Sequence, residues 1–517
     1  MLLNGIFLAY PLKEEHVNRT CIRMIVCALV MVLHSIHAEF APGDVFRQYR
    51  WQNSRYITGF LYLEGGDGRY GDSHTEGDIA LPDNVDLESA VKVEINVEYV
   101  ATHRYCTGVP QISLNGNAWI SLPFVNVGVS SSEHTLWNSP VVEAPVGHLR
   151  QGGGNVFRFR VDGSGCYDQI YGVIFRVYYD PARKPHPTGR ILTPAANAPA
   201  GESVSFTAET GHTGSAAVKR VEYLGNYEDI SYRCDNQYRT WHYIYHKGHF
   251  AFTVGKNPAI ITQTGSAPFR VTWNTQWVPQ QSEPMKFRAL ITDVDGITFV
   301  SDDVTGVRLE RPGLSVELCK PYNVPPGFGT GGRADNAMSA NFRIAGAASD
   351  ITSAKLVMPA WNAWNNNGLK INGVKLSATV SGEALSPSLA TCNILPLSTL
   401  KTGENVLSTI ARADQDAHGI EIIWPGFWVL VQYRDASVSV SHTLPSPDYS
   451  INQFVKADIV AVPNNSHHQI TLHRLDGSLI TAYRGHGKCD YRADYKGTAV
   501  ISGLVDGVKI SGSTVFR

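Results

Sequence analysis

The densest group of imidazoles in the chain is Trp241-His-Tyr-Ile-Tyr-His-Lys-Gly-His249. On a strand, His242 and His246 share a face about 13 Å apart at ~3.3 Å per residue. One zinc ion cannot bridge that gap, because each Zn–N bond is only about 2 Å. A turn at Lys247-Gly248 would bring His246 and His249 together, but the plainer expectation is a hairpin with exposed imidazoles and packed aromatic rings. Glu94 and Glu98 also share a strand face about 13 Å apart, beyond the ~5.5 Å of retaining and the ~6.5–9.5 Å of inverting glycosidases. Asp293 and Asp295 flank a turn, where aspartate usually serves the backbone. No Gly-x-Ser-x-Gly, His-Glu-x-x-His or phosphate-loop pattern is present.

Two other residue sets invite a ligand. Glu64, Asp67, Asp72 and Asp78 space carboxylates through a Gly-rich segment. Such oxygens suit a structural calcium ion, although the twelve-residue EF-hand spacing is missing. No organic cofactor is called for. The second set is aromatic and planar-polar: His103, Arg104, Tyr105 and Tyr167, then Trp361, Trp364, Asn365, Asn366, His418 and Trp424. Sugars offer flat CH faces for stacking and hydroxyls for amide or guanidinium partners. Trp and Asn on loops of a rigid β-scaffold meet both needs. For each Trp taken alone, packing in a core is an equally good account.

The elements that must hold these residues are strands. Val91-Lys-Val-Glu-Ile-Asn-Val-Glu-Tyr99 alternates, with Val91, Val93, Ile95, Val97 and Tyr99 on one face. Phe157–Val161 and Val173–Tyr179 are further strand signals, and no long segment has helical periodicity. The 517 residues suit about three or four domains. Only 17% are charged, and the net charge of −2 provides no basic footprint for nucleic acid. Gly-rich, aromatic-rich β-domains of the extracellular kind fit this balance.

The leader points outward too. Residues 1–38 read as a signal segment, with Arg19 and Arg23 before the apolar run Ile25–Leu33 and Ala38 available for cleavage. Nine residues fall short of the ~20 that span a bilayer, so no transmembrane segment is expected once the leader is removed. Of eight cysteines, Cys21 and Cys27 belong to that leader. Export permits disulfides, and Cys106 with Cys166 is the expected pair, both being in loops of the first domain. The other cysteines read as small buried residues.

A long-period repeat organises the chain. Copy one runs Ser89–Val93, Ile112-Ser-Leu-Asn-Gly116, Leu149-Arg-Gln-Gly-Gly-Gly-Asn-Val156 and Tyr171–Asp180. Copy two runs Ser353–Val357, Leu369-Lys-Ile-Asn-Gly373, Leu400-Lys-Thr-Gly-Glu-Asn-Val406 and His418–Asp435. Strand, Asn-Gly hairpin, Leu-to-Asn-Val turn and closing strand recur in one order. The expected architecture is all-β: jelly-roll-like sandwiches at 39–184 and 313–437 flank an Ig-like sandwich at 188–312. A linker at 438–450 then leads to a small β domain at 451–517.

Two stretches carry resemblances. Val218-Lys-Arg-Val-Glu-Tyr223, Ala267-Pro-Phe-Arg-Val-Thr-Trp273 and Phe287–Gly296 resemble the bacterial immunoglobulin-like modules found in secreted polysaccharide-associated proteins. In place of the acid-rich loop of those relatives stands Tyr227-Glu-Asp-Ile-Ser-Tyr-Arg-Cys-Asp-Asn236, with fewer acids. The last ~65 residues, with Leu-Asp-Gly477 and Val-Asp-Gly507 between strand signals, resemble the C-terminal sorting domains of type IX secretion. That resemblance implies an export machinery as partner, although Ala499-Val-Ile-Ser stands where Gly-x-Tyr-x-Val is usual. The resulting expectation is a secreted or cell-surface protein that binds or displays polysaccharide without catalysis. The alternatives are a glycan-acting enzyme with a site invisible in one sequence, and a structural spacer.

Overall fold

The computed structural model describes residues 40–52, 61–64, 79–101, 110–122, 136–161, 167–234, 236–244, 262–264, 267–325, 328, 338–363, 369–376, 387–394, 396–409, 420–423, 426–434, 467–474, 479–486, 497–505 and 508–516. They form strands and three short 3-10 turns, with no α-helix among them. The leader lies outside them. No helix among the described residues is long and apolar enough to cross a membrane.

The first sandwich is built on Ala90–Ala101, held antiparallel against Tyr167–Tyr179. Its alternation works as read: Val93, Ile95, Val97 and Tyr99 are buried to the last atom. Val91, at the start of the strand, is instead exposed. Phe157 and Phe159 close the core from the facing sheet, which pairs Ile79–Ala80, Val156–Val161, Pro110–Leu114 and Ile120–Ser121. The second sandwich sets Ser315–Cys319, Trp428–Tyr433, Ile351–Trp361 and Pro387–Asn393 against Ser339–Ile344, Gly403–Ser408 and Lys370–Ile371. Its core includes Phe342, Leu356, Met358, Leu407 and Phe427.

The repeat is written into the hydrogen bonds of both sandwiches. Asn115 (φ 50°) and Gly116 (φ 74°) make a left-handed hairpin turn, as do Asn372 (φ 50°) and Gly373 (φ 82°). Asn and Gly tolerate that backbone where other residues would strain. In copy one, Asn115 Nδ2 donates to His148 O (2.8 Å) and Asn155 Oδ1 (2.9 Å), while its Oδ1 accepts from Val156 N (2.9 Å). In copy two, Asn372 Nδ2 donates to Thr399 O (2.7 Å) and Asn405 Oδ1 (2.8 Å), and its Oδ1 accepts from Val406 N (3.0 Å). Asn155 and Asn405 each also accept from a backbone N–H, that of Arg150 and of Lys401. Both are buried, so these bonds are what allow one amide inside each sandwich.

Between the two lies a central sandwich. Pro187–Thr193, Ser203–His212 and Val271–Asn274 face a sheet led by Val218–Glu228 and Met285–Asp293. Phe206, Tyr223, Tyr227, Trp273 and Phe287 fill the space between. Its larger sheet does not stop at the module. Val45–Gln52 pairs along its whole length with Tyr167–Tyr179, and its first three residues also pair with Ile297–Phe299 of the central module. Gly43 N donates to Val300 O (2.9 Å) and Val300 N to Asp44 O (2.9 Å). One 13-stranded sheet therefore runs through both modules.

The second sandwich docks on the central module differently, by apolar contact. Val316, Leu318, Val357, Trp428 and Leu430 turn away from their own core and pack with Ile230. Gln432 Nε2 donates to Gln276 O (2.8 Å), Lys320 pairs with Glu228 (2.7 Å), and Lys355 lies 3.9 Å over the Trp277 ring. At the chain's end, Leu479–His486, His467–Arg474, Gly497–Val505 and Val508–Phe516 form a four-stranded antiparallel sheet in that order.

Replacing Asn155 by Ala takes the acceptor from Arg150 N–H and one of two acceptors from the half-buried Asn115 amide, and each orphaned donor costs roughly 1–3 kcal/mol. Asn155→Ala should therefore lower unfolding stability by about 3 kcal/mol in urea titration. A loss below ~1 kcal/mol would show that water replaces the amide.

Candidate functional site

The first sandwich releases its ligand-suited segments from one end. Ala101 stands opposite Asp168 on one side and Leu136 on the other, and Glu64 stands opposite Tyr167. Segments 65–78, 102–109, 123–135 and 162–166 all join the sheet at these neighbouring positions. The strand residues Tyr167 and Glu64 are placed by backbone alone. His103, Arg104, Tyr105, Cys106, Cys166, Asp67, Asp72 and Asp78 lie outside the described residues, on those segments. The expected Cys106–Cys166 disulfide thus falls on segments that leave two paired strands at the same end.

The second sandwich repeats the arrangement. Trp361 stands opposite Pro387 and Glu421, at the end of Ile351–Trp361 from which segments 364–368, 377–386 and 410–419 depart. Trp364, Asn365, Asn366, His418 and Trp424 belong to these or adjoining residues outside the description. Trp361 differs from its expectation. It is 6% exposed and continues the strand, so its ring is packed inside and not offered as a platform.

The two segment-bearing ends meet. Trp137 and Tyr171 of the first sandwich, Cys234 of the central module and Ile423 of the second sandwich form one buried cluster. Trp137 and Tyr171 are tilted rings with centroids 5.4 Å apart. Trp137 follows Leu136 directly, and Ile423 N donates to Pro359 O beside Trp361 (2.8 Å). Residues from all three modules thus fix the ends that carry both sets of candidates. The sequence offered no sign of this, because each of the four residues lies in a different module or strand.

Next to the junction, the central hairpin buries a titratable group. Asp229 accepts from Ile230 N (2.8 Å) and Tyr232 OH (3.1 Å), and its Oδ2 lies 4.0 Å from His242 Nε2. The Thr240 carbonyl can only accept, so His242 Nδ1 carries the proton and donates to it (2.9 Å). Burial pushes the Asp229 carboxyl up to about 7, its two hydrogen bonds notwithstanding. Burial likewise lowers His242 to about 4. Both groups are therefore neutral in mildly acidic solution, and the ring rests between Tyr227 (4.5 Å) and Tyr232 (4.9 Å). The aromatic packing is as expected, but the His242 imidazole is buried where an exposed one was expected, because the strand pairing places it between two Tyr rings; His246 and His249 lie outside the described residues. Among the described residues, no three His, Cys, Asp or Glu side chains converge as metal ligands.

The carboxylates Glu94 and Glu98 are fully buried. Tyr178 OH donates to Glu94 Oε2 (2.6 Å), Lys92 Nζ sits at 2.8 Å and Arg176 at 3.9 Å. A carboxylate saturated by a phenol and two cations holds strands together. Cys234, Cys319 and Cys392 are buried.

No protein-family model matches the chain, and no curated protein matches it. Among solved structures it is similar to fibronectin(III)-like modules of Clostridium thermocellum CbhA, at 14% identity over 51% of this chain and 94% of that one, with a TM-score of 0.17. It is similar to a β-porphyranase of glycoside hydrolase family 86 from Bacteroides plebeius, at 11% identity over 45% and 35%, with a TM-score of 0.17. A β-glucuronidase from Ruminococcus gnavus gives 11% identity over 57% and 50%, with a TM-score of 0.16. Against a further family 86 protein, solved in complex with neoagarooctaose, the chain spans 32% of that protein's length. At these TM-scores the likenesses say nothing further about what this chain does.

Asp229 gives a test of the buried hairpin. Its carboxyl is raised on folding, so its contribution to stability is full below the unfolded value near 3.9 and is lost as pH rises through about 7. His242 acts oppositely, its contribution being present above ~6.5 and lost as pH falls through about 4. Asp229→Asn removes only the first. The difference in melting temperature, wild type minus Asp229→Asn, should shrink steadily between pH 4.5 and 7.5. A constant difference would place the carboxylate in contact with water.

Proposed function

We propose that the protein is exported and binds polysaccharide without catalysis, at the cell surface or in the medium. In this reading the central sandwich is an Ig-like module, and the C-terminal sheet belongs to a type IX sorting domain. The observation that supports it is the Trp137–Tyr171–Cys234–Ile423 cluster. It fixes side by side the ends from which the segments bearing His103, Arg104, Tyr105, Trp364, Asn365 and His418 depart. Aromatic, amide and guanidinium groups on loops of a rigid scaffold suit sugar faces and hydroxyls. The burial of Glu94 and Glu98, each wholly out of solvent, leaves that sheet face without a carboxylate pair open to substrate.

The full chain applied to a polysaccharide array should be retained by at least one glycan and release no reducing ends, unsaturated products or free glycans. The paired variant Tyr105→Ala/Trp364→Ala should lose at least about tenfold in affinity, equivalent to ~1.4 kcal/mol. Product formation would overturn the non-catalytic reading. Retention that both substitutions leave intact would remove these segments from the site.

A further inference from the structure

The outer face of the first sandwich's smaller sheet carries a second constellation, on strand residues that border segments 102–109, 123–135 and 162–166. Val156–Val161 buries Phe157, Phe159 and Val161 and turns Arg158 and Arg160 outward. Gln111 stands opposite Arg160 on one side and Ser121 on the other. Arg160 Nε donates to Gln111 Oε1 (2.6 Å), and Gln111 Nε2 donates to Ser121 Oγ (3.2 Å). The guanidinium of Arg160 lies 4.5 Å over the Trp119 indole. Arg160, Gln111 and Trp119 are half-buried, and Ser121 is exposed. A row of guanidinium, amide and hydroxyl thus crosses three strands, about 10 Å at ~4.8 Å per strand spacing. An indole sits at its edge, pinned by the cation beside it.

The other copy provides an internal comparison. After the turn at Asn372-Gly373, Val374 and Lys375 pair straight back and Leu376 drops into the core. After Asn115-Gly116, the chain takes up an extra residue before Ile120 pairs with Ile112, and Trp119 comes out on the polar face. The position opposite Lys370 in copy two is Ser408; in copy one, Ser113 faces Arg158. Two sandwiches that share their internal amide bonds therefore differ on this face. A partly exposed indole adds nothing to the core of copy one, whose wall is already closed by Ile112, Leu114 and Phe157.

We infer that Trp119, Arg160, Gln111 and Ser121 form a second glycan site on the open sheet face, suited to an extended chain of equatorially linked pyranoses. Flat CH faces of such sugars stack on the indole, and their equatorial hydroxyls meet the planar amide and guanidinium. The inference rests on the polysaccharide reading for its ligand class, but on different residues for its site.

The test is affinity electrophoresis of the full chain in gels containing hydroxyethylcellulose, xylan or glucomannan. At least one should retard the wild type. Trp119→Ala should weaken that retardation at least about tenfold, Trp119→Phe should restore part of it, and Gln111→Ala should weaken it to a lesser degree. Unchanged circular dichroism and melting temperature would establish that Trp119→Ala folds. The variant Tyr105→Ala/Trp364→Ala should remain retarded. Equal retardation of wild type and Trp119→Ala would overturn the sheet-face site while leaving the loop-borne one standing. Absence of retardation in all three gels would overturn it too, and retention on the wider array would then decide the loop-borne reading separately.

Discussion

The arrangement depends on one strand serving two masters. Val45–Gln52 gives one edge to the long strand Tyr167–Tyr179 and, through its first three residues, the other edge to Ile297–Phe299. A β-edge carries unpaired N–H and C=O groups that must find partners. Here the free edge of the central module is satisfied by the first sandwich, so two hydrophobic cores share one hydrogen-bonded ladder. Relative motion of the two modules would have to break ladder bonds. Ordinary module linkers carry no such constraint.

The second joint obeys a different rule. Ser315–Cys319 and Trp428–Tyr433 are buried on both faces, one by their own core and the other by the central module. Their sequences reflect this. Trp428-Val-Leu-Val is a continuous apolar run, unlike the alternating Val156-Phe-Arg-Phe-Arg-Val161, whose outer face meets water. One joint uses backbone bonds and the other uses apolar area. Residues from all three modules also meet in the small cluster around Cys234.

Much of the architecture was legible because the sequence repeats local chemistry. Alternation located the strands, and the recurring Asn-Gly and Asn-Val landmarks located equivalent turns. The structure explains why those landmarks travel together: Asn115 with Asn155, and Asn372 with Asn405, are bonded to each other inside each sandwich. The joints were not legible, since nothing local in Phe46 or Ile297 says that they belong to one ladder. Trp361 was misplaced because a Trp followed by Asn and Ala looks like the start of a loop. Its strand continues through it, held by Pro387 and Glu421. Trp119 escaped notice for the converse reason. A residue just after a hairpin turn is assigned inward or outward by parity, and one extra residue reverses that parity.

The paired amides also bear on how the protein ages. An Asn-Gly sequence ordinarily degrades when the glycine nitrogen attacks the asparagine side-chain carbonyl carbon and expels ammonia. In both copies that carbonyl oxygen accepts a backbone N–H, and the departing nitrogen is tied to two acceptors. The φ angles at Asn115 and Asn372 are fixed at 50° by the hairpin. The ring closure would require the turn to open and the amide to leave its partners. These two Asn-Gly dipeptides are thereby held closed by their own hydrogen bonds, and their chemical lifetime becomes a property of the fold and not of the sequence.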